Sequence, residues 1–590
     1  MTVSRSARRF ASARLVRALL VPLIVALPSL FWVVTATRRA SLTTLGRDQG
    51  IFQYVAWALQ QGAVDYRDVR DVNGPLTHLV HLAFLAFGGA DEHRFRVLDL
   101  AVTGASYALL GFLAPGLLAS RKPGLLDRIG WAFAGWVVLS GQYLLYGYWD
   151  IAQRESFFDW FMLPSVAIQI AAHGAATRPS RERLLVLAGA LSVIPWFGKP
   201  TYSVFTLAQI AVLLWDPDLA AGRNRALAAF SFGGAFGAAT QVAFVASYGD
   251  LVAFARIQLV DVPAMYRFIW PRAVTEIFSE AWRSTQAVFA LFGAVVLVGL
   301  VCLGEMPRRA VLLALVPICA LASVVAQAKG FPYHFHPVTS GVHLQWLVFV
   351  AWTAERTRVA RRRWAIVRLV PVALGASLAL RIATAVLDSP HVRASWMLWE
   401  ASSRQQRQSP EYFAHFPETD FFPYELRQAA DYIGRHTAPS DRVQSYGMDP
   451  YVLFLAHRLS ATPYIYAYDL NADAALAGGT GGRPNPAQAE RIRSIREGNE
   501  IDMLRRLEKG PPAAFVFIDG SPLLSSADAW DDFEDHCARV AAWVTPRYRE
   551  SARFGHFSVW LRLDRTPDGD APAEDKAEPV GPVPPPNDTP

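Results

Sequence analysis

Residues 45–76 read LGRDQGIFQYVAWALQQGAVDYRDVRDVNGPL and directly follow a long apolar segment. Residues 50–62 place apolar side chains at helical spacing, which predicts an amphipathic helix suited to lie along a membrane surface. The stretch ends in Gly-Pro-Leu and carries four aspartates: Asp48, Asp65, Asp68 and Asp71. Two interpretations follow. The aspartates belong either to a solvated loop or to a site held against the outer face of a bilayer.

The composition of the whole chain indicates a membrane protein. Its 590 residues are 52% apolar and 18% charged, against about 25% charged residues in soluble domains. The mean hydropathy is +0.20. The apolar residues cluster into windows whose length is close to that of a membrane-spanning helix, about 20 residues. Hydropathy predicts an α-helical polytopic protein with about eleven transmembrane helices, near residues 17–37, 95–119, 129–148, 157–174, 184–197, 200–215, 227–248, 285–304, 310–327, 338–354 and 366–386.

The distribution of charge predicts the orientation of these helices. The net charge is +7, and the basic residues cluster in short loops between apolar segments. A single threading with a cytoplasmic N-terminus puts each Arg/Lys-bearing loop inside, as the positive-inside rule expects. The same threading puts the Asp-rich loop on the outer face. Because no basic face occurs on a soluble module, nucleic acid is not an expected partner.

The composition changes after the last predicted helix. Residues 1–387 form the predicted membrane domain, and residues 388–565 are predicted to form a small α/β domain outside the cytoplasm. In that domain PPAAFVFIDG (511–520) is typical of a buried strand, and GHFSVWLRLD (555–564) alternates as a strand does. The tail, 566–590, is rich in proline and acidic residues and is predicted to be disordered.

Three further outer motifs carry charged side chains: YGYWDIAQRESFF (146–158), FGKPTYS (197–203) and QAKGFPYHFHP (327–337). Each motif has a structural interpretation. An aspartate before a helix is commonly a cap, clustered charges at a helix mouth form salt bridges, a lysine at a helix end snorkels, and aromatic residues form an interfacial belt. Alternatively, an arginine in such a motif suits a phosphate group, because its planar fork matches phosphate oxygens.

The pattern GRDQG·FQYVAWAL··G···YRDV·D··GPL resembles the first outer loop of membrane glycosyltransferases of the GT-C fold. Within that fold it is most similar to the protein-mannosyltransferase/aminoarabinose-transferase group (glycosyltransferase family 39-like). The likeness covers roughly residues 40–340 and, more weakly, the C-terminal domain. It departs from the family at Gln49, where many members carry glutamate, and at Asn73, where relatives often carry lysine. The resemblance implies transfer of a sugar from a polyprenyl-phosphate lipid to a lipid, glycan or protein acceptor.

The resemblance also implies roles for individual residues. Asp48 is the candidate catalytic base, and Asp150 is the candidate second catalytic acidic residue, with Glu155 as the alternative for that role. Asp68, Asp71 and Glu155 are candidates to bind the acceptor or to support the loops. The residues expected to bind the donor phosphate are Arg154, Lys199, Lys329, Tyr333 and His334. No cofactor or metal is expected to be obligatory, although a divalent metal remains open; His334 and His336 would need a third ligand to hold one.

Two rival functions remain at this stage. A secondary transporter or lipid flippase would typically show internal repeats and charges at mid-membrane, whereas the motifs here lie at the outer ends of helices. An O-antigen ligase or polymerase typically has a large outer loop between late spans, whereas here the large outer segment is C-terminal. The absence of a Walker or GxGxxG motif argues against nucleotide binding. The expected location is the cytoplasmic (inner) membrane.

Overall fold

The structure is a computed structural model that describes residues 5–119, 122–175, 177–284, 286–359, 369–393, 401–416 and 420–565. The predicted disordered tail, 566–590, lies outside the described residues. The contacts within the chain divide it into two units. The first comprises Met1–Phe421 with Ala472–Glu497, and the second comprises Phe422–Asn471 with Gly498–Pro590.

The first unit is mainly helical. Three short 3-10 turns, Ile194–Phe197, Pro200–Tyr202 and Pro332–Phe335, connect some of its helices. Its principal helices are α1 (Arg5–Ala40), α2 (Arg47–Gln60), α3 (Pro75–Gly88), α4 (Glu92–Leu117), α5 (Leu125–Tyr143), α6 (Arg154–His173), α7 (Arg178–Val193), α8 (Ser203–Trp215), α9 (Arg223–Tyr248), α10 (Leu251–Arg256), α11 (Val262–Ala264), α12 (Val274–Arg283), α13 (Gln286–Cys302), α14 (Val311–Gln327), α15 (His336–Val359) and α16 (Val370–Leu387).

Each of the eleven predicted spans overlaps a helix of this unit. Within the described residues, five helices are long and apolar enough to cross a bilayer, or six if the bent pair α12–α13 counts as one span. Part of the shortfall has a physical cause: α7 and α8 have only 16 and 13 residues, and α6 carries Arg154, Glu155 and Asp159 within its first two turns. Charged side chains that line the protein interior lower the hydropathy of a helix even where it lies within a bundle. The number of eleven spans therefore stays a prediction.

Helices of the first unit cross at glycines. A Cβ atom on Gly111 of α4 would lie 2.2 Å from the carbonyl oxygen of Trp131 in α5. One on Gly189 of α7 would lie 1.9 Å from the carbonyl oxygen of Phe230 in α9. Such close backbone approach is typical of membrane helix pairs, where small residues replace the hydrophobic driving force that water provides.

The described segment between α16 and Phe421 belongs to the first unit by its contacts, and the predicted domain bounds, 1–387 and 388–565, stay a prediction. The Arg39 guanidinium in the last turn of α1 donates to the carbonyl of His391 at 3.2 Å. The Tyr412 hydroxyl donates at 2.8 Å to a carbonyl in the turn after α1. These hydrogen bonds join residues about 350 positions apart, and composition alone could not reveal them.

The second unit contains a mixed sheet with the strand order β2-β1-β3-β5-β4. Strand β1 pairs in parallel with β2 and β3, and β5 pairs antiparallel with β3 and β4. The two predicted strands are confirmed as β3, which is buried along its whole length, and β5. The strands are β1 (Arg442–Tyr446), β2 (Leu459–Ser460), β3 (Ala514–Ile518), β4 (Tyr548–Phe554) and β5 (Phe557–Arg562).

Helices accompany this sheet in the second unit. They are Pro423–His436, Tyr451–Leu455, Ala529–His536 and Ala538–Val544, and the helix Pro486–Lys509 runs into the unit. Phe515 and Phe517 of β3 belong to the same buried cluster as Phe533 of the helix Ala529–His536 and Val540 of the helix Ala538–Val544. A sheet needs such a cover because one apolar face must be buried against another element. The placement of this unit outside the cytoplasm stays a prediction.

Candidate active site

Asp48 lies in the first turn of α2, next to the N-cap Gly46. Its side chain is 29% exposed, and its Oδ2 atom lies 3.8 Å from Nη2 of Arg154. Within the described ranges the structure gives this carboxylate no hydrogen bond, so its oxygens can accept a proton from a bound hydroxyl. The helix dipole stabilises the ionised form at this position. The amphipathic pattern predicted that α2 would expose a polar face at a membrane surface. Instead, α2 is buried along nearly all of its length and packs within the protein.

Gln49 holds the start of α2 against the loop that precedes α6. Its Oε1 accepts from the backbone N–H of Gly46 at 2.6 Å. Its Nε2 donates to the carbonyls of Trp149 at 3.0 Å and Ile151 at 2.7 Å. A carboxylate cannot donate these two hydrogen bonds. The Gln49 amide therefore has a structural role of its own. Many members of the family that the sequence resembles carry glutamate at this position.

The Gln49→Glu substitution is expected to lower the free energy of unfolding by about 1–3 kcal/mol. It replaces the buried NH2 group that donates to two carbonyls with an oxygen that can only accept. The measurement is thermal unfolding of the detergent-purified protein at pH 8, where the new carboxylate is ionised. Gln60→Glu, at the exposed end of the same helix, is the matched control and should leave the transition unchanged. Equal midpoints for the two variants would contradict the anchoring role of Gln49.

Arg154, the first residue of α6, links several segments that are distant in sequence. Its side chain is 8% exposed. Its Nη1 donates to Oδ1 of Asn73, and its Nη2 donates to the hydroxyl of Tyr333 at 3.2 Å. The guanidinium also lies over the ring of Phe52, 5.6 Å from its centroid. Arg154 therefore presents a fixed positive charge beside Asp48, and an arginine fork of this kind suits a phosphate group.

A second cluster begins at the next residue, the fully buried Glu155. Nζ of Lys199 donates to Oε1 of Glu155, to Oε1 of Gln327 at 2.6 Å and to Nε2 of His334 at 3.0 Å. Proline at the start of two 3-10 turns helps to position Lys199 and His334, because proline presets the first φ of a helical turn. The cluster thus joins residues of three charged motifs, 146–158, 197–203 and 327–337.

The hydrogen bonds of this cluster leave two polar atoms for a ligand. An ammonium has three donors, and all three of Lys199 are used. Nε2 of His334 accepts one of them, so in the neutral ring the proton resides on Nδ1. Among the described residues, Nδ1 of His334 and Oε2 of Glu155 are buried and have no hydrogen-bond partner. One buried donor and one buried acceptor of the cluster are therefore unsatisfied within the described part of the chain.

Two lysines of the site have lowered pKa values. Burial lowers the pKa of Lys329 to about 7, and the nearby charge of Lys199 adds to this effect. Burial also lowers the pKa of Lys199 to about 8, although the carboxylate of Glu155 partly opposes it. Lys329 donates to the carbonyl of Tyr266 at 3.1 Å and to that of Ile269. The positive charge of the site therefore changes near neutral pH.

The remaining predicted residues make hydrogen bonds apart from the Asp48–Arg154 pair. Asp68 accepts from the backbone N–H of Val64 at 2.9 Å, within its own loop. Asp71 accepts from the backbone and side-chain nitrogens of Asn73 at 3.0 and 2.6 Å. The carbonyl of Asp150 accepts from Nε2 of His336 at 2.8 Å. Among the described residues no group of three His, Cys, Asp or Glu side chains is placed to hold a metal ion.

Residues outside the predicted set also build the site. Arg96 of α4 is fully buried and donates to the carbonyls of Thr44 and Tyr148, both at 2.7 Å. It thereby ties the segment between α1 and α2 to the segment between α5 and α6. An arginine inside an apolar helix is itself a signal, since a charge within a membrane segment is costly unless it is used. His78, in the first turn of α3, is the other residue that sequence reasoning missed.

The structure was compared with known proteins. No protein-family model matches the chain, and no curated protein matches it. A crystal structure of ArnT from Cupriavidus metallidurans bound to undecaprenyl phosphate is similar to it, with 13% sequence identity and a TM-score of 0.51, over 91% of this chain and 97% of that chain. The apo structure of the same ArnT matches with 13% identity and a TM-score of 0.50, over 93% of this chain and 98% of that chain.

The match extends over nearly the whole length of both chains, so it concerns the complete architecture and not one helical segment. Together with the apolar helices, it identifies a multi-pass membrane protein. The chain has the fold of these ArnT structures, which is the GT-C fold that the sequence resemblance implied.

Proposed function

We propose that the chain is an integral membrane glycosyltransferase. It moves a sugar from a polyprenyl-phosphate donor to a lipid, glycan or protein acceptor on the outer face of the cytoplasmic membrane. The observation that carries the proposal is the pairing of an accessible carboxylate, Asp48, with the buried guanidinium of Arg154 at 3.8 Å. This arrangement brings a base and a cation together where outer loops converge. The similar ArnT structure that binds undecaprenyl phosphate supports the choice of donor class.

The reaction assigns one task to each group. Asp48 accepts the proton of the acceptor hydroxyl as its oxygen forms a bond to the anomeric carbon of the sugar. The bond between that carbon and the phosphate oxygen breaks, and polyprenyl phosphate leaves with the electron pair. Arg154 stabilises the negative charge that develops on the leaving phosphate. In-line displacement of this kind inverts the configuration at the anomeric carbon.

The buried cluster is the proposed second half of the donor site. His334 Nδ1–H and the hydroxyl of Tyr333 would donate to phosphate oxygens, and Lys199 and Lys329 would supply further positive charge. Asp150 remains a proposed second catalytic carboxylate. We expect no obligatory metal, because a monophosphate leaving group with several cations around it does not require one; a divalent metal stays open. The outer orientation of the C-terminal unit is part of this proposal.

The function is tested in cells that lack the gene and carry the wild-type gene or an empty plasmid. Surface glycans and polyprenyl-linked sugars are compared by mass spectrometry. We expect one sugar to be missing from an acceptor and its polyprenyl-phosphate form to accumulate in the deletion strain. A deletion that leaves all acceptors glycosylated and instead traps a precursor on the cytoplasmic side would favour a transporter or flippase.

The transfer rate is expected to fall as the pH rises above 7. A lysine is positively charged below its pKa, so Lys329, with a pKa of about 7, and Lys199, with a pKa of about 8, lose their charge as the pH passes through those values. Initial rates of the reconstituted protein between pH 6 and 9.5 provide the measurement. Lys329→Arg keeps its charge throughout this range and should extend the active range upward, whereas the exposed control Lys509→Arg should not. Superimposable profiles for all three proteins would contradict the assignment.

A further inference from the structure

The loop between α2 and α3 encloses three side chains that are fully removed from solvent: Asp65, Asp71 and His78. Nδ1 of His78 lies 2.7 Å from Oδ2 of Asp65, and Nε2 lies 2.9 Å from Oδ2 of Asp71. The imidazole therefore bridges two carboxylates. We call this group of three the carboxylate clamp.

The geometry of the clamp determines the charge of the ring. A neutral imidazole donates from only one nitrogen, whereas both nitrogens of His78 face carboxylate oxygens. Burial alone would lower the pKa of His78, but Asp65 and Asp71 outweigh it and raise the pKa to about 10. With both of its nitrogens facing carboxylate oxygens, the ring is an imidazolium.

A chain of hydrogen bonds connects the clamp to the candidate active site. The second oxygen of Asp71, Oδ1, accepts from the side-chain nitrogen of Asn73 at 2.6 Å. That contact turns Oδ1 of Asn73 toward Arg154, which donates to it. The other arm of the Arg154 guanidinium faces Asp48 at 3.8 Å. If the amide of Asn73 were reversed, its NH2 group would oppose the guanidinium, donor against donor.

The backbone of the loop has separate anchors. The N–H and carbonyl of Asp65 bond to the backbone of Tyr248 at 2.8 Å and of Asp250 at 3.1 Å. The side chain of Arg70 pairs with Asp261 at 2.9 Å. These contacts do not involve the imidazole. Loss of the charge on His78 should therefore disturb the polar chain more than the path of the backbone.

We infer that His78 is a positioning residue for the transfer reaction: the clamp holds the Asp71 carboxylate so that Asn73 presents its oxygen to Arg154 and fixes the guanidinium beside Asp48. This inference rests on the proposed function. His78 itself touches neither the donor nor the acceptor. It acts through two intermediate side chains, and the strength of that action is what an experiment must measure.

The test uses the full-length protein in nanodiscs, with a polyprenyl-phosphate sugar extracted from the deletion strain as donor, and rates expressed per folded molecule. His78→Gln is expected to lower kcat by about 10²-fold, comparable to the loss of one oriented charge-stabilising donor. The double variant His78→Gln/Asp65→Asn removes the imidazole together with the carboxylate that faces its Nδ1, and it keeps a donor for Asp71. We expect it to recover kcat to within about threefold of wild type, which a general packing defect would not do.

A second comparison tests the route through Asn73. If His78 acts through this amide, Asn73→Ala should reduce kcat, and adding His78→Gln should change it little further, because residues in one hydrogen-bond network are not additive. Multiplicative effects of the two substitutions, or a wild-type kcat for His78→Gln, would overturn the inference. An inactive wild-type protein would instead overturn the proposed function on which the inference rests. The charge of the ring is checked without turnover by ¹⁵N NMR of histidine-labelled protein at pH 8, where a singly protonated ring of His78 would also overturn the inference.

Discussion

Replacing Asp48 with asparagine is expected to lower the transfer rate by about 10³-fold, within the 10²–10⁴-fold range that a positioned general base contributes. Asparagine is close to aspartate in shape and loses at most about 1 kcal/mol of favourable interaction with the helix dipole in the first turn, but it cannot accept the proton of an acceptor hydroxyl. The protein should fold normally, because the structure gives the carboxylate no hydrogen bond within the described residues and a single ion pair at 3.8 Å. The change should therefore appear in kcat and not in the yield of folded protein.

The measurement combines complementation of the deletion strain with initial rates of the purified protein at equal amounts. The matched control is Asp91→Asn. Asp91 is the N-cap of α4, where its side chain accepts from the N–H of Arg94 at 3.0 Å. Asparagine caps as well as aspartate does, so this variant should keep the wild-type rate. If Asp48→Asn also kept that rate while the deletion retained its phenotype, Asp48 would be only a helix-terminal charge, and the transporter function would be preferred.

The Glu155–Lys199 pair is expected to produce the largest stability effects in the site. Side-chain exposure is 0% for Glu155 and 16% for Lys199. Removing one partner of a buried pair strands the other charge and costs about 3–5 kcal/mol, whereas removing both can be nearly neutral. We therefore expect Glu155→Gln and Lys199→Met each to lower the unfolding midpoint strongly. The double variant should recover stability but remain inactive, because it lacks the cation that the donor phosphate needs.

Thermal unfolding and transfer rates of the four proteins, measured on the same preparations, test this expectation. Glu182→Gln serves as control, because its pair with Arg178 has the same charges but is 39–54% exposed. Exposed pairs contribute about 0–1 kcal/mol, so the control should unfold as wild type does. A double variant that regained both stability and activity would show that the pair is structural only. A double variant that remained as unstable as the single variants would contradict the explanation that an unpaired buried charge destabilises each single variant.

Several features of the site were predictable because they depend on local sequence. Asp48 near a helix start, Arg154 at the mouth of α6, and lysines between apolar segments follow from hydropathy, turn residues and charge placement. The structure confirms that α2 begins at Arg47 and α6 at Arg154. The roles of Asp48, Asp150 and the donor-binding residues stay proposals. For these residues the fold supplies proximity, and proximity alone does not determine a reaction.

Other features could not be predicted because they depend on contacts between distant segments. Nothing near His78 in the sequence indicates that Asp65 and Asp71 converge on both of its nitrogens. The hydrogen bonds of Lys199 reach to Gln327, 128 positions away. The segment after α16 returns to α1 through hydrogen bonds that composition does not reveal.

The sequence by itself determined that this chain is helical and membrane-spanning, and which loops carry its acids and bases. Hydropathy and charge act over about 20 residues and are written in consecutive positions. Only the tertiary structure decided which of those side chains meet: that Arg154 faces Asp48, that Lys199 is enclosed by Glu155, Gln327 and His334, and that His78 is clamped between two carboxylates. Such contacts arise from how the helices pack, and packing depends on the shapes of surfaces that are assembled from the whole chain.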